Sequence, residues 1–175
     1  MKQKKTKNKK YPLRVTLDDG TRLTIPKQAE FDNAFLRKHG CSIMAEYIAL
    51  QYLGIKKWPL HILQWHRKHT PKDIKAKVTL KGVSKGINRQ CKGKGMAYYF
   101  DTVTAGRISN ALRKGQVVIM EQKDPIHSIV LLPDKKGCYM ASYGKVKKVS
   151  INGIAKTATK NKTYRGMITV RRMSR

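Results

Sequence analysis

HGCSIMAEYIALQYLG, residues 39–54, predicts the central helix of this chain. Apolar side chains recur at helical spacing on one face, at positions 41, 45, 48, 49 and 52. Ser42 is a candidate N-cap, and Gly54 stands just past the last periodic residue, where helices commonly stop. We therefore expect a buried helix that carries Cys41 in its first turn, on the inward side.

The segments on both sides of this helix predict a helical layer followed by an antiparallel sheet. Before it, YPLRVTL and TRLTI flank Asp19-Gly20, which is typical of a β-hairpin, and Pro26 ends the second strand. After it, LHILQWHRKH follows Pro59 and AGRISNALRK follows Thr104, and both patterns predict helices.

From residue 116 onward the apolar period changes to that of strands. QVVIMEQ, IHSIVLL and CYMASYG are separated by the turn-forming sequences KDP and PDKKG. VKKVS and YRGMITVRR are two further strand candidates. The order of these elements predicts an α+β fold, with an N-terminal helical layer whose central buried helix packs on a C-terminal antiparallel sheet.

The chain is strongly basic, and this charge predicts attraction to polyanions. Its 39 Lys and Arg residues outnumber 10 Asp and Glu, which gives a formal net charge of +29. Lysine-rich stretches with Tyr98, Tyr99 and Phe100 between them could hold phosphates and stack bases. No sequence-specific nucleic-acid motif occurs, so a basic, nucleic-acid-associated protein that binds non-specifically is one alternative function.

The first ten residues, MKQKKTKNKK, contain six lysines and no acid, which predicts a basic disordered tail over residues 1–10. Residues 11–175 then form one domain by the usual length prior. No apolar signal-peptide core follows the tail, and no stretch is long enough to span a membrane. These features favour a cytoplasmic protein.

The remaining cysteines and histidines predict no disulfide, metal or cofactor. Cys41, Cys91 and Cys138 are odd in number and widely spaced, so we expect three free thiols. His61, His66 and His69 fall on one predicted helix among basic residues, with no acid or cysteine to complete a metal site. A solvated basic face explains these histidines more simply.

Cys41 and His127 are the candidate catalytic pair. A thiol acts as a nucleophile in its thiolate form, which the unpaired N–H groups at a helix N-terminus favour. His127 begins the strand IHSIVLL directly after a turn, so its imidazole can reach a helix end and serve as general base.

These segments resemble papain-like cysteine peptidases of the bacteriocin-leader-processing, double-glycine peptidase-like type. HGCSIMAEYIALQYLG is similar to the family's cysteine block, and ALRKGQVVIMEQKDPIHSIVLL to its histidine block. GCYMASYGKV falls where the family returns with the strand that ends in its third catalytic residue, and the likeness spans residues 29–146. The resemblance implies a papain-like fold, cleavage of a peptide or amide bond, and no cofactor. With this net charge, the peptide or protein substrate is expected to be acidic.

The third catalytic residue departs from the family's pattern, which has Asp or Asn. If PDKKG forms the turn, residues 132 and 138 face each other, and either Ser142 or Tyr143 lies across from His127. Asp134 falls within that turn, too far along the strand. We therefore predict that Ser142 orients His127.

The oxyanion donor departs as well. The family's glutamine lies about six residues before the cysteine, where this chain has Phe35. Gln28, further upstream, is the candidate donor, together with the backbone N–H of Cys41. Both departures leave a catalytically weakened or inactive peptidase-like binding module as a second alternative.

Overall fold

Two antiparallel sheets and six α-helices make up the part of the chain that the computed structural model describes, residues 13–160 and 163–173. The predicted basic tail, residues 1–10, lies outside the described residues. The helices are α1 (Ala34–His39), α2 (Cys41–Tyr52), α3 (Pro59–His69), α4 (Leu80–Gln90), α5 (Ala105–Arg113) and α6 (Ile151–Lys160). The strands are β1 (Leu13–Thr16), β2 (Arg22–Ile25), β3 (Gly95–Phe100), β4 (Val117–Gln122), β5 (His127–Asp134), β6 (Gly137–Ser142), β7 (Lys145–Val149) and β8 (Tyr164–Arg172).

The large sheet has the strand order β3-β8-β4-β5-β6-β7, and all its neighbours are antiparallel. Side chains alternate between its two faces, as strand geometry requires. One face shares a hydrophobic core with the β1–β2 hairpin and with α2, α3 and α4. The other face packs on α5 and α6. The predicted α+β class is confirmed, with a second helical layer that the sequence analysis did not include.

Helix α2 is enclosed on all sides. Eleven of its twelve residues are buried, which is far more than the single apolar stripe of a surface helix. It packs against β2, β5, α3 and α4, so it lies between the hairpin and the sheet. The predicted central buried helix is therefore confirmed.

The start of α2 differs from the sequence prediction, because Ser42 is not its N-cap. Gly40 holds the cap position, since α1 ends at His39 and a single residue separates the two helices. Ser42 lies inside the first turn, and its buried Oγ has no hydrogen-bond partner among the described residues. Cys41 becomes the first residue of the helix.

The β5–β6 register also differs from the prediction by one residue. Pro133, and not Leu132, pairs with Cys138, and the pairing continues to Asp134 and Gly137. The connecting turn therefore contains two residues in place of the five that were predicted. The turn-forming character of Pro133 and Asp134 was misleading, because Asp134 is held on the strand by an ion pair with Lys148 of β7, 2.5 Å away.

A buried polar cluster joins α2 to α3 and α4. The Nε2 atom of His66 lies 2.6 Å from a carboxylate oxygen of Glu46, and its Nδ1 lies 2.7 Å from the Thr70 hydroxyl. Gln90 donates to the second Glu46 oxygen at 2.8 Å, while burial raises the pKa of the Glu46 carboxyl. The predicted solvated face is wrong for His66, which is fully buried because this cluster satisfies its ring nitrogens.

Gly40 allows α1 and α2 to follow each other this closely. A Cβ atom there would lie 2.3 Å from the carbonyl oxygen of Leu36, a backbone atom that cannot rotate away. Gly40→Ala is expected to lower the free energy of unfolding by about 1–3 kcal/mol through this overpacking. Urea denaturation followed by circular dichroism measures the change.

Gly106→Ala is the matched control, because nothing lies within 4 Å of a Cβ atom placed there on α5. It should leave stability unchanged or raise it by up to about 1 kcal/mol, as alanine favours the helix. Equal stability changes in the two variants would contradict the close approach at Gly40.

Candidate active site

The four side chains singled out in the sequence line one small cavity, where the start of α2 meets the ends of β5 and β6. These residues are Cys41, His127, Ser142 and Gln28. The cavity measures about 30 Å³, and its apolar wall includes Ile25, Met44, Ile48, Val130 and Ala141. Residues separated by up to 114 positions in the chain are thus brought together by the packing of α2 on β5.

Cys41 occupies the first position of α2, and its side chain is 7% exposed. The first N–H groups of a helix have no carbonyl partner within the helix, and the helix dipole adds to their positive potential. Cys41 therefore lies at the end of α2 that carries these N–H groups. Met44 and Ala45, one turn further on, line the same cavity and keep it apolar.

His127 is the first residue of β5 and is almost completely buried. Its Nε2 atom lies 3.1 Å from Oγ of Ser142, the last residue of β6. With the proton on Nε2, the ring donates to this hydroxyl, and Nδ1 is then the nitrogen that can accept a proton. Ser142 therefore has the position of a residue that orients the imidazole.

Tyr143 covers the other side of the imidazole. Its ring stacks on His127 with centroids 3.5 Å apart and planes within 5° of parallel. Tyr143 and Gly144 have φ values of 50° and 69°, as a two-residue type I′ hairpin turn between β6 and β7 requires. A tyrosine at positive φ is uncommon, and the hairpin turn accounts for it here. The sequence left Ser142 and Tyr143 as alternatives opposite His127, and both contact it.

The 143–144 turn forms one wall of this cavity. Tyr143 lies over His127, and Gly144 packs against Lys27 so closely that a Cβ atom on Gly144 would lie 2.9 Å from Lys27 Cγ.

His127 is electrically neutral at physiological pH. Burial, and then the positive charge of Lys77, lower its pKa from 6.5 to about 4. An unfolded chain binds this proton near pH 6.5, so the stability that neutral His127 contributes is present above that pH and is lost as pH falls toward 4. Lys77 was not singled out in the sequence, where one lysine among many gives no signal of this role.

Two positions that the family pattern suggested lie elsewhere. Phe35 does not line the cavity; its ring packs beside His39, with centroids 5.6 Å apart. Asp134 lies at the far end of β5 from His127, as predicted, and pairs with Lys148. Gln28 lies in a short 3-10 turn, where its side-chain N–H donates to the carbonyl of Arg37 at 3.2 Å.

The other two cysteines are buried away from this cavity. Cys138 is fully buried, and burial raises the pKa of its thiol to about 11. The thiol of Cys91 donates to the carbonyl of Gly95 at 3.1 Å. Within residues 13–160 and 163–173, no group of three His, Cys, Asp or Glu side chains is placed to hold a metal ion. No helix in that part of the chain is both long and apolar enough to cross a membrane.

The aromatic residues considered for base stacking lie on β3, and an arginine lies near the ring of two of them. The guanidinium of Arg171 lies 5.2 Å from the ring centre of Tyr98, and that of Arg107 lies 4.5 Å from the ring centre of Phe100. Each of these two rings has a cation–π contact with an arginine on one face.

Comparison with known proteins adds little to this geometry. The chain matches no protein-family model and no curated protein sequence. Among solved structures it is similar to one described as a "putative C39-like peptidase" from Bacillus anthracis, with a TM-score of 0.49. That match has 14% sequence identity and covers 78% of this chain and 90% of the other. A likeness at this level carries no argument about activity, which rests on the site itself.

Tyr143→Asn tests how far the stacked Tyr143 ring lowers the pKa of His127. Asparagine tolerates positive φ, so the variant keeps the turn and removes the ring. Solvent then reaches the imidazole, and because burial is the largest cause of the depressed pKa, the pKa of His127 should rise from about 4 toward 6.5. An NMR titration of histidine-labelled protein measures this shift.

Tyr98→Asn provides the control, since Tyr98 lies on β3 outside the cavity lining. This variant should leave the His127 titration unchanged. An unshifted His127 in Tyr143→Asn would contradict the shielding role of Tyr143.

Proposed function

We propose that this protein is a papain-like cysteine peptidase, with Cys41 as nucleophile, His127 as general base and Ser142 as the residue that orients His127. The observation that carries the proposal is the shared cavity, which is lined by a thiol at a helix N-terminus and by a neutral imidazole. Neutral His127 is in the state that accepts a proton, and Ser142 Oγ at 3.1 Å from Nε2 leaves Nδ1 for the thiol.

The reaction follows from these positions. The Cys41 thiol passes its proton to His127 as the sulfur attacks the carbonyl carbon of the peptide bond. The C–N bond then breaks, and protonated His127 returns the proton to the leaving amine. Water, deprotonated by His127, hydrolyses the resulting thioester and releases the acid and the free Cys41.

Two N–H groups are available for the oxyanion of the tetrahedral intermediate. One is the backbone N–H of Cys41 at the head of α2, and the other belongs to the side-chain amide of Gln28. The Gln28 amide has two hydrogens, and only one is needed for its bond to Arg37. Such donors lower the barrier because they face the charge that develops in the transition state.

The substrate of this proposal is a peptide or protein, drawn in by the net charge of +29 if it is acidic. A nucleic-acid-associated role has less support, because its only basis is the positive charge of the chain and the aromatic residues of β3.

Selective alkylation of Cys41 is the expected result with iodoacetamide at pH 6.5. Cys41 is 7% exposed and lies in the site, whereas Cys91 and Cys138 are 2% and 0% exposed. Peptide mapping by mass spectrometry should show Cys41 modified at least tenfold faster than either of them, since each tenfold needs only about 1.4 kcal/mol of differential activation.

His127→Ala is the matched variant and should slow alkylation of Cys41 while leaving Cys91 and Cys138 unchanged, because only Cys41 shares a cavity with the imidazole. Equal, slow modification of all three cysteines would leave the inactive binding module as the better account. Ser142→Ala should give an intermediate rate, since the imidazole stays but loses its orienting partner.

A further inference from the structure

A second and larger cavity adjoins the candidate active site. It is a groove of about 770 Å³ between the β1 strand of the hairpin and the β6–β7 end of the large sheet. All four residues of β1 line it, so the strand runs along the groove. Ser142 and Tyr143 belong to its lining and also to that of the cavity that holds Cys41. The groove therefore adjoins the cavity that Cys41 and His127 line.

The strand that lines this groove has an unpaired edge. Among the described strands, β1 is hydrogen-bonded to β2 alone, so its backbone groups on the other side have no strand partner. Strand β7 is likewise the last strand of the large sheet. An unpaired strand edge is a ready template for an extended peptide, which adds to it through backbone hydrogen bonds.

The groove is also basic. Arg14, Lys145 and Lys147 line it, and no acidic residue does so among the described residues. All three are exposed, and none of them forms an ion pair with a described carboxylate, whereas neighbouring Lys148 is paired with Asp134. Unpaired cations beside an open strand edge attract an anionic chain.

We propose that this groove binds an extended, acidic segment of the peptide substrate, paired with the free edge of β1, and guides it to Cys41. This inference rests on the proposed peptidase function and adds to it the site and chemistry of substrate binding. Acidic side chains meet Arg14, Lys145 and Lys147, while the peptide backbone pairs with β1. The four residues of β1 span roughly 13 Å, so about four substrate residues are held next to the 143–144 turn.

Charge complementarity favours this occupant over the chain's own N-terminus from a second copy. Residues 1–10 contain six lysines and no acid, so they repel the groove. Nucleic acid also carries the right sign, but it has no backbone N–H and C=O groups to pair with a strand edge. Blocking the backbone N–H groups of a peptide probe therefore tests strand pairing, an interaction that nucleic acid cannot make.

Binding is tested on the full chain carrying Cys41→Ala, which cannot cleave the probe. The probe is a fluorescent eight-residue peptide in which Glu alternates with Thr. Its binding is measured by fluorescence anisotropy at one salt concentration. Lys145→Glu with Lys147→Glu should weaken binding by about tenfold or more, since two attractive contacts become repulsive. The same peptide with Gln in place of Glu should bind at least about tenfold more weakly to the protein without the lysine substitutions. Added salt should lower the affinity of the Glu peptide.

Lys156→Glu with Lys160→Glu is the matched control. It makes the same change of charge on exposed residues of α6, which packs on the other face of the sheet. This variant should change the affinity by less than about twofold. Equal losses in the two double variants would overturn the proposal, because they would show attraction to the net charge alone.

A peptide with alternate backbone amides methylated tests the strand pairing, and it should bind at least about tenfold more weakly than the parent peptide. Unchanged binding would overturn pairing with β1, and tighter, Lys145- and Lys147-dependent binding of a single-stranded DNA 8-mer would assign the groove to nucleic acid. Because this assay needs no chemistry, the proposals can fail separately. Peptide binding in the groove without selective Cys41 alkylation would reject the peptidase function. Selective Cys41 alkylation without peptide binding in the groove would reject the groove proposal.

Discussion

The packing of α2 against β5 is the contact on which the site depends. The helix is buried on every side, so its axis and its starting point are fixed by the hairpin, by α3 and α4, and by the sheet. Each large apolar side chain buried here contributes on the order of 1.5–3 kcal/mol. The same contact brings the first residue of the helix, Cys41, to the first residue of β5, His127. The packing of α2 against β5 therefore contributes to stability and also positions the candidate catalytic residues.

Two buried ionisable groups near α2, Glu46 and His127, have different surroundings. Where α2 packs on α3 and α4, each oxygen of the buried Glu46 carboxylate has one hydrogen-bond partner, His66 or Gln90. At the front of the helix, His127 is buried with one hydroxyl partner and the positive charge of Lys77 nearby. The first arrangement gives both carboxylate oxygens of Glu46 a hydrogen-bond partner and links α2 to α3 and α4. The second leaves an imidazole nitrogen free, which stability alone does not require.

The sequence predicted the elements with strong patterns and missed those that depend on packing. The periodicity of α2 and the Asp19-Gly20 hairpin were enough to predict both, and the cavity brings together Cys41, His127, Ser142 and Gln28. Helix α6 was missed because INGIAKTATK contains a glycine and two threonines, so its stability comes from the packing of Ala155 and Ala158. Pairing between strands is a long-range property, which explains why the β5–β6 register was wrong by one residue.

The most direct test of the central claim is to trap the acyl group on the protein. The chain is mixed with a p-nitrophenyl ester of an N-acylated glutamyl-glycine, quenched in acid and mapped by mass spectrometry. A catalytic Cys41–His127 pair should give a thioester on Cys41 that forms within the first turnover, decays with time, and is nearly absent in His127→Ala. Acyl groups found only on lysines, or a Cys41 thioester that forms equally fast without His127, would contradict it.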